Sequence, residues 1–155
     1  MTNSDIMSAR RSEKCFIKVQ GDSMTPLIQP DDILIIKADN DYKKGDIVVF
    51  PYGYNQLLIV HRILKFHNEY FLCKGDNSFL IERVHSSDIR GKVVLIKRLK
   101  EIRVPPIVSE KMITLSLEVN KEYRKNGYDF NSTIDSIAYK EFMVERNICC
   151  VDEVK

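Results

Sequence analysis

Gly45-Asp46-Ile47-Val48-Val49-Phe50 joins a turn pair to an unbroken β-branched and aromatic run, and it sets the reading of the first hundred residues. β-Branched and aromatic side chains fit a pleated, half-buried surface, whereas Gly and Asp punctuate the chain before it. The same signature recurs on both sides. Cys15-Phe16-Ile17-Lys18-Val19 alternates, and Ile33-Leu34-Ile35-Ile36 is a short continuous apolar run, as in a strand buried on both faces. Leu57 to Leu64, Tyr70 to Lys74 and Val93 to Leu99 follow, separated by Gly, Pro, Asn and Asp. Six short strands with turns between them predict a mainly β protein, an antiparallel and barrel-like domain.

The pattern changes at Pro105-Pro106, which cannot donate to a strand ladder and force an extended connection. Beyond it, Ser109 is a cap for a helix over 110–126, and Gly127 stands where that helix would stop. Met112, Leu115, Val119 and Tyr123 share one helical face, although Ile113, Leu115, Leu117 and Val119 also alternate as a strand would; the helix is the reading adopted. Ile134, Ile137, Ala138, Phe142 and Arg146 give a second helix, capped by Ser132 or Thr133. The expected organisation is a polar N-terminal tail at 1–14, a β domain at 15–103 and a C-terminal α-hairpin at 104–155 packed on the barrel.

Composition narrows the function classes. The 155 residues are enough for one sizeable core, and 44% hydrophobic with 30% charged residues is the balance of a soluble globular protein. The 24 basic and 22 acidic residues are interspersed and sum to +2, so no polyanion-binding face is implied and nucleic acid is not the expected partner. No stretch approaches the ~20 apolar residues that span a bilayer, and residues 1–14 lack the apolar core of a secretory signal. Cys15, Cys73, Cys149 and Cys150 have no metal-ligand spacing, and His61, His67 and His85 form no zinc set. A cytoplasmic protein without metal or cofactor is expected.

Chemistry enters with Gly21-Asp22-Ser23-Met24-Thr25-Pro26. A serine in a polar turn is followed by His61 inside an apolar run, and then by Asp76 between Gly75 and Asn77. Those are the parts of a nucleophile, its base and a base-orienting carboxylate. In order along the chain, Ser23-Met24-Thr25-Pro26, Gly45 to Phe50, His61-Arg62, Gly75-Asp76-Asn77 and Gly91-Lys92-Val93 resemble the type I signal peptidase superfamily, which includes the LexA-like self-cleaving repressors. The resemblance runs from Phe16 to Lys97. It is nearest to the branch of archaea, the endoplasmic reticulum and some sporulating bacteria, which carries His where the usual bacterial enzymes carry Lys. Those enzymes are membrane-anchored, and here the expectation is cleavage of a soluble substrate rather than docking on a membrane partner.

What the resemblance implies is a coiled β catalytic core, with Ser23 as nucleophile, His61 as general base and Asp76 as orienting acid. The His-type relatives carry a second acid some six residues further on, and Glu82 stands at that place. An imidazole suits a base working near neutral pH, because it is largely neutral there without the strong tuning a Lys needs. For the oxyanion, the backbone N–H of Ser23 is the natural donor; many signal peptidases add a hydroxyl two residues before the nucleophile, but Gly21 supplies none. Asp31 stands where a Gly usually precedes Asp32. The expected function is a serine endopeptidase that removes a leader or signal segment from a peptide or protein precursor, with small side chains before the scissile bond. The other reading is a non-catalytic regulatory module on the same fold, holding an extended peptide by strand addition.

Overall fold

The structure, a computed structural model, describes residues 14–151. Apart from Lys14, the polar tail expected at 1–14 lies outside them. Eight strands form one antiparallel sheet: β1 (Cys15–Lys18), β2 (Ile33–Lys37), β3 (Ile47–Tyr52), β4 (Leu57–His67), β5 (Tyr70–Lys74), β6 (Ile81–His85), β7 (Gly91–Arg98) and β8 (Glu101–Arg103). Their order is β1-β2-β7-β3-β4-β5-β6, with β8 paired to β7. Register slips between Ile35 and Ile36 and between Ile63 and Lys65 bend the sheet.

The six expected strands are present, and β6 and β8 are additional. In β6 the charged Glu82 occupies a buried position, which hides the alternation that Val84 completes. Burial on both faces belongs to β3 rather than to Ile33–Lys37. In β2 only Leu34 and Ile36 are buried, whereas Ile47, Val48, Val49 and Phe50 are buried in succession. Ile47 and Val49 join the larger core; Val48 and Phe50 join a second cluster with Ile63, Phe71, Cys73 and Val84.

Three helices follow: α1 (Glu110–Lys125), α2 (Phe130–Ile134) and α3 (Ile137–Cys150). Ser109 caps α1, its hydroxyl accepting from the Met112 amide at 3.0 Å, and Gly127 takes a left-handed φ of 67° beyond the last turn. The expected second helix is broken in two by successive caps. Asp129 caps α2 through the Ser132 amide, and Ser136 caps α3 through the Tyr139 amide. Met112, Ile113, Leu115 and Val119 from α1, with Phe142 and Cys150 from α3, lie in one buried cluster with Met24, Leu27, Leu34 and Ile36. The helices therefore cover one face of the sheet. Among the described residues no helix is long and apolar enough to cross a membrane.

Candidate active site

Ser23 sits in the turn-rich connection between β1 and β2. The base of that connection is closed by two backbone bonds, Val19 N–H to Asp32 O and Asp31 N–H to Val19 O. Met24, Leu27 and Ile28 are buried in the main core, so the loop is anchored from below while Ser23 stays half-buried at its crest. Asp32 is also inside, its carboxylate held by Arg98 at 2.8 and 2.7 Å and by the Gln29 amide, which makes it a brace for the loop. Asp31 adopts φ 74°, a left-handed conformation that Gly takes without strain.

Strand pleating then sorts the remaining groups. Successive side chains of β4 point to opposite faces, so His61 and Arg62 part company. His61 is 7% exposed, and its ring meets Phe50 edge-on at 6.4 Å. Its Nε2 lies 3.0 Å from Ser23 Oγ, and its Nδ1 is hydrogen-bonded to Glu82 Oε1. Glu82 lies opposite Cys73 in the β5–β6 pairing, and Cys73 lies opposite Ile63, two residues from His61. One face of β4 and β6 thus presents imidazole and carboxylate together, and the β1–β2 connection brings the serine to them.

Asp76 is elsewhere, contrary to the expectation that it orients His61. Both of its oxygens accept from Arg62, from Nε at 2.9 Å and from Nη2 at 2.8 Å, and both side chains are about 1% exposed. A carboxylate saturated by a bidentate guanidinium on the helix-covered face cannot also hold the imidazole on the other. Burial works against the Arg62 charge, and Asp76 outweighs it, holding the guanidinium protonated more firmly than usual. The missed signal was Arg62 itself: a buried Arg next to His61 demands a carboxylate of its own.

Gly75 brings the two faces together. A Cβ there would stand 2.5 Å from Ser23 O and 2.9 Å from His61 Nε2. Gly75→Ala is therefore expected to push Ser23 away from His61, and a displacement of roughly 1 Å would slow any reaction centred on that pair by about a hundredfold. Steady-state kinetics on the folded variant checks this; activity within a few-fold of the parent would show that the contact is slack.

A cleft of about 470 Å³ leads to Ser23, lined by residues 17–21, Met24 and Ile28 on one side and by Leu57, Leu58, Ile59 and Val60 on the other. Among the described residues β1 pairs only with β2. Residues 57–60 pair only with β3, because β5 joins β4 from Arg62 onward. Both walls thus own a strand edge without a partner among the described residues, the kind of edge an extended peptide can complete. Among the described residues no cluster of three His, Cys, Asp or Glu side chains could hold a metal ion.

A sequence model of the Peptidase S24-like family matches residues 2–94, more than half of the chain. The chain belongs to the Peptidase S24-like family. It is also similar to the signal peptidase complex catalytic subunit SEC11 of Saccharomyces cerevisiae, in strains YJM789, RM11-1a and JAY291. Identity to each is 37% over 76 residues, covering 45% of this chain and 46% of the relative. The chain spans less than half the length of these curated relatives.

The S24-like match ends before α1, so the helices lie beyond it. They cover an unusual buried group. Lys74 is 1% exposed, donates to Ser116 Oγ at 2.9 Å and lies 4.9 Å from the Phe142 ring centre. Burial pulls its ammonium from 10.5 down to about 8; Asp76 and Glu82 oppose that, and Arg146 adds to it. Below about pH 8 folded and unfolded chains both carry the proton, and the full penalty applies. Between about 8 and 10.5 the unfolded chain binds more protons, so this group's contribution raises stability as pH rises. Cys150 works in the opposite sense, since burial pushes its thiol from 9.0 up to about 12, and the buried Cys73 thiol is raised as well. Comparison with Lys74→Met isolates the lysine. The stability advantage of the Met variant is expected to shrink by about 1 kcal/mol between pH 7 and pH 9 in denaturant titrations. A constant gap would mean the ammonium is not strained by burial.

Proposed function

We propose that the chain is a serine endopeptidase working through Ser23, His61 and Glu82. The observation that carries this is the contact of Ser23 Oγ with His61 Nε2 at 3.0 Å while Nδ1 is held by Glu82. With the Nδ1–H donated to Glu82, Nε2 is the free base. Ser23 Oγ attacks the scissile carbonyl carbon as its proton passes to Nε2, and the Ser23 amide faces the developing oxyanion. His61 then returns the proton to the leaving amine. Water, deprotonated by the same nitrogen, releases the acyl group and regenerates Ser23.

The substrate class is an extended segment of a peptide or protein precursor, such as a leader or signal sequence. The cleft with its two unpaired strand edges supports an extended substrate, and the name of the SEC11 relatives supports a signal-like one. Small side chains before the cut are the expected preference. To test this, synthetic precursor peptides are incubated with the protein and the products are read by mass spectrometry. A single cut, lost with Ser23→Ala, is the expected outcome. Tight binding of extended peptides without any cut would favour the non-catalytic module instead.

A further inference from the structure

The segment that carries Gly75, Asp76 and Asn77 is gripped from the side opposite the cleft by both long helices. Three polar side chains address its carbonyls. Lys74 Nζ, steadied by Ser116 of α1, lies 3.4 Å from Gly75 O. Arg146 of α3 donates from Nη1 to Asp76 O at 3.2 Å and to Asn77 Oδ1 at 3.3 Å. Asn120 of α1 donates to Phe79 O at 2.8 Å. None of these helical residues lies within the family match.

The segment in turn holds the nucleophile's loop. Asn77 N–H donates to Ser23 O at 2.8 Å, and Asn77 Nδ2 donates to Asp22 O at 3.2 Å. Asn77 is therefore the joint: its amide oxygen is taken by α3 and its amide nitrogen by the residue before Ser23. Arg146 is 7% exposed, its Nε has no hydrogen-bond partner among the described residues, and its guanidinium lies 6.0 Å from the Phe142 ring centre. Burying a guanidinium with incomplete bonding is costly, and an apolar side chain of similar size is often no less stable at such a site. Stability thus gives little reason for an Arg here, and the bonds to residues 76 and 77 give a clear one.

We infer that Arg146 is a positioning residue for the Ser23 centre, acting from the C-terminal helix through Asn77 to fix the nucleophile against His61. The inference rests on the peptidase reading for its kinetic consequence but not for its structural one. Without the Nη1 bonds the Asn77 side-chain amide is free to turn and its bond to Asp22 O loosens, and without the Arg146 bond to Asp76 O the backbone N–H that holds Ser23 O is less firmly placed. A displacement of roughly 1 Å at the nucleophile suffices for about a hundredfold loss in rate.

The test compares the full chain with Arg146→Met, Asn77→Ala, their double variant and Arg146→Lys. In Arg146→Met, kcat for a cleaved precursor peptide is expected to fall about ten- to a hundredfold with KM little changed, while the melting temperature stays near that of the parent. The double variant should be no slower than the slower single one, because the two residues act as one unit. Arg146→Lys, which keeps the cation and a donor, should recover most of the rate, and Asn77→Ala, which breaks the same joint at an exposed position, carries the rate comparison should the Met variant fail to fold. Hydrogen exchange supplies the readout that needs no activity: the Asn77 amide should exchange faster in Arg146→Met while the β3–β4 amides keep their protection. Losses that multiply in the double variant, or an Asn77 amide as protected as in the parent, would overturn the inference. If the parent protein cuts no peptide, the peptidase reading fails, and the exchange comparison still decides whether Arg146 holds the loop.

Discussion

Ser23→Ala is expected to abolish cleavage, a loss of ~10⁴-fold or more, while leaving the fold in place. The change removes one half-buried hydroxyl whose partner is His61 Nε2. The bonds that hold this loop do not involve that hydroxyl: Asn77 N–H reaches the Ser23 carbonyl, and Met24, Leu27 and Ile28 stay in the core. The melting temperature should therefore move by only about 1–2 °C, as for a surface substitution of less than about half a kcal/mol. Rate assays and a thermal melt on the same preparation check both parts. Substantial cleavage by a folded Ser23→Ala protein would remove Ser23 from the chemistry.

The second large effect separates the two acids. Glu82→Gln should lower the rate by up to ~10⁴-fold with modest change in stability, because a neutral amide no longer stabilises the imidazolium and leaves the tautomer of His61 undetermined. Asp76→Asn should do the reverse. It leaves the Arg62 guanidinium, about 1% exposed, without its carboxylate, and breaking such a pair costs about 3–5 kcal/mol. For a chain of this size that is a fall of about 10 °C or more in melting temperature. Per folded molecule, Asp76→Asn should retain far more activity than Glu82→Gln. If Asp76→Asn is the stable and inactive one, the roles read from the sequence return and the His61–Glu82 contact is incidental.

That reversal shows where sequence reading runs out. Strands declare themselves by side-chain type, so Gly45 to Phe50 and Leu57 to Leu64 were legible without coordinates, as was the Ser109 cap of α1. Ser23 and His61 were legible by order and resemblance, and the structure brings them within 3.0 Å of each other. Which carboxylate meets His61 was not legible. Asp76 sits in a Gly-Asp-Asn turn that reads as ready-made for the task, and Glu82 sits in a strand whose alternation its charge conceals. The face of the sheet decides between them, and a face depends on pairing register, which no local pattern specifies. Arg146 was even less visible. Its helical position was apparent, but its reach to residues 76 and 77 spans about seventy positions of sequence.

Covalent trapping tests the Ser23–His61–Glu82 assignment most directly. The parent protein and its Glu82→Gln and Ser23→Ala variants are treated with a peptidyl fluorophosphonate whose peptide arm can lie in the cleft, then digested and mapped by mass spectrometry. The expected result is a single adduct on Ser23 in the parent, formed much more slowly with Glu82→Gln and absent with Ser23→Ala. An adduct on another residue, or one that forms on Ser23 at the same rate when Glu82 is replaced, would contradict it.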